Sequence, residues 1–222
     1  QGLAECAGAF GASLAGGNLS AAATPVLTST CLGSVPAGQA LRRAGAGAGW
    51  ELAVSGRLGG AAAGLRSLDD SSPWRAAWRR RLARPEPRLG VGRIIREAGV
   101  RVALDVSDGL YLDASRLLEA GAGDMPSGLL LDAAAIPVEA GVAEAWPADV
   151  WVLVGGGEDY EVLFAAPPEV MRQALARIRA AGADATVIGR FDEGRGVRLL
   201  IDGREAPPPG AGHEHFASTA RG

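Results

Sequence analysis

From Val100 onward, short apolar runs alternate with segments in which apolar residues recur at helical spacing. The runs predict strands near 100–106, 128–131, 150–154, 161–166, 185–190 and 197–201, each rich in aliphatic or β-branched residues. Helices are predicted over 109–120 and 168–181. In the second, Val170, Met171, Leu175 and Ile178 fall at roughly helical spacing with arginines between them. Strands alternating with helices indicate an α/β protein.

Ahead of Val100 the pattern is less regular. The small, apolar opening reads as a helix running into the Gly16-Gly17 turn, and PVLTSTCLG (25–33) reads as a strand. VPAGQALRRAGA suggests a short helix, Glu51–Ser55 a strand, and LGGAAAGLRSL (58–68) a small-residue helix. SLDDSSP gathers turn formers and is the best linker. The following segment is helical, broken by Pro85 and Pro87. Trp74, Ala77, Trp78 and Leu82 share one of its faces while Arg75, Arg79 and Arg80 spread towards others. A packed Trp face with solvated arginines fits better than a nucleic-acid patch at a net charge of −3. The strands before the linker are too few to close a domain. They either pack on the larger C-terminal part or form the back half of a domain whose front is absent.

Composition narrows the chemistry. All 22 basic residues are Arg, which excludes a P-loop lysine and a Schiff-base lysine. Cys6 and Cys31 stand far apart, with neither disulfide-framework nor zinc spacing, and fit a reducing cytosol. No apolar run reaches the ~18–20 residues needed to span a bilayer. These features predict a soluble, cytoplasmic protein with no membrane or nucleic-acid partner.

Two motifs carry candidate chemistry. ALDVSDGL (103–110) reads as strand, turn and helix. A turn at a helix start offers backbone N–H groups to a phosphate, yet Asp105 and Asp108 would repel one. A helix cap by Ser107 or Asp108 accounts for one acid but not for Asp105 at the end of an apolar strand. A Mg²⁺ ion accounts for both acids, since Mg²⁺ is commonly shared between one or two carboxylates and substrate phosphates. The turn's N–H groups would then touch the phosphate directly. Both readings stay open at this point. In VGGGEDYEVLF (154–164) three glycines precede Glu158 and Asp159. This is either a hairpin with an acidic tip or a binding loop for a cationic or metal-bound ligand. GGNLS (16–20) is a further Gly pair, and His213 with His215 lacks a third metal ligand.

Taken in order, GGNLS, PVLTSTCLG, VPAGQALRRAGA, VSGRLGGAAAGL, RLARPEPRLGVG, ALDVSDGL, GGGEDYEVLF and GHEHFAS resemble the thiamine-monophosphate kinase family along nearly the whole chain. The resemblance implies an aminoimidazole ribonucleotide synthetase-like fold: α/β, two domains, dimeric when complete. Residues 1–60 would be the remainder of an N-terminal ATP-binding and dimerisation domain, with only its back half present, and 61–222 the C-terminal α/β domain. The implied reaction passes the γ-phosphoryl of ATP to thiamine monophosphate, with Mg²⁺. By position in the motifs, Asp105 and Asp108 match catalytic metal ligands, joined by Asn18. Gly17, Arg43 and Ser107 match ATP contacts, and Glu158 and His213 contacts to thiamine monophosphate. Asn18 stands where the family often has Asp, and His213 where a larger aromatic is usual. The alternatives are a related synthetase or maturation enzyme and a non-catalytic nucleotide-binding relative. The chain as it stands, without the family's N-terminal acidic strands, is expected to be inactive.

Overall fold

A computed structural model describes residues 2–68, 72–121 and 128–210. The chain forms two compact units, Gln1–Ser34 and Val35–Gly222. In the first, α1 spans Gly2–Ala9, and residues 10–34 form neither helix nor strand. The strand expected over 25–33 is therefore missing. Its β-branched residues have no ladder partner within the unit, and a lone strand gains no hydrogen bonds.

Among the described residues the second unit is built on seven strands: β1 Glu51–Ser55, β2 Val102–Asp105, β3 Gly128–Asp132, β4 Val162–Ala166, β5 Ala185–Asp192, β6 Gly196–Ile201 and β7 Arg204–Ala206. Their order is β2-β4-β1-β5-β3-β6-β7, antiparallel throughout except for β3 beside β6. β1 is interior, pairing with β4 from Glu51↔Ala166 to Val54↔Leu163 and with β5 on its other edge. The division thus falls at 34/35, whereas the sequence suggested 60/61, because β1 completes the sheet of the later residues. The helix expected over VPAGQALRRAGA is absent. This segment runs along the free edge of β2, where Arg42 bridges Val102 in parallel.

Alternation along the strands explains the unbroken apolar runs. Leu52, Val54, Val102, Leu104, Leu163 and Ala165 face one side, where they pack on Leu110, Ala114 and Leu117 of α5 (Leu110–Gly121). Ala53, Ala103, Phe164 and Ala166 face the other. They meet Val91 and Ile95 of α4 (Leu89–Glu97) and Met171, Ala174 and Ile178 of α8 (Pro168–Ala180). With both faces covered, neither set can be polar.

A third cluster lies at one end of the sheet, among α2 (Gly60–Arg66), α3 (Arg75–Ala83), α6 (Val142–Ala145) and α7 (Val150–Val154). There the expectation of a strand at 150–154 is corrected. Val150, Leu153 and Val154 are buried while Val152 is half exposed, which is helical spacing rather than alternation. In α3 only Trp78 of the expected face is fully buried, with its indole N–H donating to the Ala140 carbonyl. Arg79 and Arg80 are exposed as expected. Arg81 instead turns inward, reaching Glu139 and Glu161.

Glu161 has no solvent exposure. Its carboxylate accepts from Ser55 Oγ on β1 (2.6 Å), from Arg81 on α3 (3.0 Å), and from Arg88 just before α4 by two bonds of 2.8 Å. Gly56 sits over it at a φ of 55°, and a Cβ there would collide with the carboxylate. Replacing Glu161 by Ala takes from Arg81 and Arg88 the buried acid they share, leaving them only the more exposed Glu139 and Glu86. The expected loss is about 3–5 kcal/mol, measured as a lower midpoint in urea denaturation with an unchanged slope.

Candidate active site

β2 ends at Asp105, which is exposed, and the chain then turns through Val106, Ser107, Asp108 and Gly109 into α5. The loop Gly155–Glu161 lies against this turn. Val106 N–H donates to the Glu161 carbonyl, Tyr160 N–H to that of Val106, and Glu158 N–H to that of Ser107, each at 2.8 Å. The approach is close enough to require glycine on both sides. A Cβ on Gly109 (φ 115°) would overlap the Gly155 carbonyl, and one on Gly157 (φ 78°) would overlap that of Ser107. Tyr111, whose hydroxyl donates to the Trp151 carbonyl (3.0 Å), packs beneath Gly155 and fixes the distance from α5 to α7.

The acids of the loop face two ways. Asp159 and Glu161 point inward, and Glu158 and Tyr160 outward. Asp159 accepts from Gly59 N–H (2.7 Å) and Ala61 N–H (3.1 Å), so it caps the start of α2 from a hundred residues away. Burial pushes its carboxyl up to about 6, although these two bonds favour the ionised form. Glu158 and Tyr160 both hold left-handed backbone, φ 65° and 51°, a cost that a non-glycine residue bears only where its surroundings enforce it. Tyr160 Oη donates to Glu158 Oε2 (3.3 Å). Its phenol is held above its ordinary pKa by burial first, then by the charge of Glu158, and further by those of Asp105 and Asp108. Three outward carboxylates therefore act on one phenol.

One expectation is overturned here. The backbone N–H groups of Ser107, Asp108 and Gly109 do not face outward for a phosphate. All three donate to Oδ2 of Asp113, at 3.0, 3.0 and 3.1 Å. Asp113 lies in the first turn of α5 with no exposure, and reaches back as the acid of a capping box does. Its other oxygen accepts from Arg116 (2.8 Å), and the same guanidinium nitrogen also bonds Asp108. Burial raises the Asp113 pKa, opposed by the Asp108 N–H bond and by Arg116.

The structure thus brings Asp105, Ser107, Asp108 and Glu158 together at one end of β2. Arg43 is exposed on the segment beside the start of that strand. Gly17 and Asn18 belong to the first unit, where the Asn18 amide donates to Ser20 Oγ (3.4 Å). His213 lies outside the described residues. Among the described residues, no three His, Cys, Asp or Glu side chains are grouped to hold a metal by themselves. The donor set at the turn is two carboxylates. That all-oxygen set fits a hard cation shared with phosphate oxygens, not an ion enclosed by protein alone. Sequence reasoning missed Asp113, Arg116, Arg81, Arg88 and the role of Glu161. Only Asp113 carried a signal, as an acid placed to satisfy the N–H groups of a helix start.

The chain matches no protein-family model. It is 34% identical to a thiamine-monophosphate kinase of Caulobacter vibrioides over 97% of this chain and 62% of that protein. The thiamine-monophosphate kinase structure from Stenotrophomonas maltophilia superposes with a TM-score of 0.68 at 31% identity, over 78% of this chain and 56% of that one. A ThiL structure complexed with AMPPCP and TMP gives 0.63 at 29%, over 78% and 54%. The hydrogenase maturation protein HypE of E. coli gives 0.63 at 22%, over 80% and 55%, a likeness of fold. Fold and acidic turn together define an aminoimidazole ribonucleotide synthetase-like protein. Within that class the chain is similar to the thiamine-monophosphate kinases, and it spans about three fifths of the length of the curated relatives it matches.

The raised Asp159 pKa has a defined sign in stability. The folded state holds a proton that the unfolded chain has released between about pH 4 and 6. Its contribution is full below the ordinary Asp pKa of 3.8 and is lost as pH rises through about 6. The stability of wild type relative to Asp159→Asn should fall by about 3 kcal/mol across that window. Denaturation curves of both proteins from pH 3.5 to 7 check it, and a difference that rises or stays flat contradicts it.

Proposed function

We infer that the full-length protein transfers the γ-phosphoryl of ATP to the phosphate of thiamine monophosphate, giving thiamine diphosphate, with Mg²⁺. The observation that carries this reading is the pair Asp105 and Asp108 at the end of β2, facing Glu158 and Tyr160. It is supported by a relative whose structure holds AMPPCP, a non-hydrolysable analogue of ATP, with TMP. Phosphoryl transfer between two polyanions asks a protein chiefly for positioning and charge compensation. Mg²⁺, when bound to Asp105 and Asp108, would neutralise the phosphate oxygens that both substrates bring.

The chain's own residues do the rest. Asp105 and Asp108 hold their carboxylates at a fixed spacing, because one ends a paired strand and the other sits in a turn tied down by Asp113. Glu158 presents a carboxylate to the cationic thiazolium of the substrate. Its left-handed backbone and the Tyr160 hydroxyl fix its direction. Ser107 and Arg43 are assigned to ATP; the assignment of Gly17 to the nucleotide, Asn18 to the metal and His213 to the substrate rests on motif position alone. In this reading the protein is a cytoplasmic homodimer.

The test is conversion of thiamine monophosphate to the diphosphate by full-length protein with ATP and Mg²⁺. Asp108→Ala is expected to lower kcat by at least about 10²-fold, the scale set by losing a charge-stabilising group. Its thermal midpoint should stay within a few degrees of wild type, because Asp113 and not Asp108 secures the turn. Near-normal turnover in that variant removes Asp108 from the mechanism.

A further inference from the structure

The Ser107–Gly109 turn has the form of an anion cradle, with three successive N–H groups converging on one point. The anion at that point is the chain's own Asp113. We propose that Asp113 is a positioning residue: it fills the cradle so that phosphate cannot enter it, and by sharing Arg116 it weakens that arginine's hold on Asp108 in competition with a divalent cation. The inference rests on the reading of Asp105 and Asp108 as the cation-facing acids.

The geometry is specific. Oδ2 of Asp113 is committed to the three N–H groups and Oδ1 to Arg116, whose same nitrogen bonds Asp108. Asp113 is fully buried, whereas Asp108 and Arg116 are partly exposed. The trio carries two negative charges and one positive, a net charge of −1 at the turn. Without the charge of Asp113 the net is zero, and Arg116 has only Asp108 to pair with. The bond that Arg116 already makes to Asp108 would then go unshared, and an external cation would have to compete with the whole of it. A phosphate brought to this end of β2 is accordingly met by side chains and their cation, never by the backbone of the turn.

The closing experiment uses full-length protein and Mn²⁺ alone as the probe, with free Mn²⁺ read by electron paramagnetic resonance. Asp113→Asn keeps an oxygen for the three N–H groups and removes the charge. It is expected to weaken Mn²⁺ binding by about 10–100-fold, the range for a group that orients a metal ligand. In turnover, the KM for Mg²⁺ should rise while kcat at saturating Mg²⁺ changes by less than about threefold. Asp113→Asn with Arg116→Gln restores the net charge of −1 and should recover most of the lost Mn²⁺ affinity. A purely structural role for Asp113 predicts no such recovery. Arg116→Gln alone, at a partly exposed site, should bind Mn²⁺ at least as tightly as wild type, and it decides the matter if Asp113→Asn does not fold. The proposal is overturned if wild type binds no Mn²⁺, if the double variant is no better than Asp113→Asn, or if Arg116→Gln weakens binding. Mn²⁺ affinities in the expected order without any kinase turnover would sink the kinase reading and leave this inference standing. Turnover with affinities indifferent to the charge at 113 would do the reverse.

Discussion

One buried carboxylate holds together the parts of this structure that need not otherwise meet. Glu161 lies where β1, the approach to β4, α3 and the start of α4 converge, and it bonds to three of them through Ser55, Arg81 and Arg88. Burying one charge is costly, and the cost is offset only when its partners and hydrogen bonds are complete. Here two guanidinium groups and a hydroxyl supply them, and the bond to Glu161 raises the Arg88 pKa. The backbone carbonyl of the same residue receives the N–H of Val106, so the clamp also sets the height of the S-D-G turn. Packing, ion pairing and site geometry share a single residue.

The acidic loop then divides by parity. Its odd members, Asp159 and Glu161, are structural; its even members, Glu158 and Tyr160, face the turn. The division explains how a run of acids can sit in one loop without mutual repulsion dominating. The inward charges are engaged by α2 and by two arginines. The outward charges are few, and they are steered by left-handed backbone at Glu158 and Tyr160.

Much of this was legible in the residues. The strands at 51–55, 102–105, 162–166 and 196–201 and the helices α5 and α8 follow from apolar runs and helical spacing. The S-D-G and G-G-E-D-Y motifs lead to each other in space as their glycines suggest. What failed did so for physical reasons. Val150–Val154 is β-branched yet helical, because burial of Val150, Leu153 and Val154 outweighs propensity over five residues. PVLTSTCLG has strand character without a strand, since a ladder needs a second chain segment that its own residues cannot name. The occupant of the N–H cradle was invisible for a similar reason. A helix-start acid such as Asp113 looks like an ordinary dipole partner until its distances to three amides are known.

The position of β1 has a consequence for how the chain reaches this state. Glu51–Ser55 is interior to the sheet, but its two neighbours come from residues beyond 160, and Ser55 meets Glu161 across 106 positions of sequence. Closing loops of that size costs entropy before any contact repays it, so folding of such a topology is slow. During synthesis β1 must wait, its apolar residues unpaired, until β4 and β5 have emerged. The acidic site shares this non-local character, since its turn and its loop meet across some fifty positions of sequence and Asp159 caps α2 across 100.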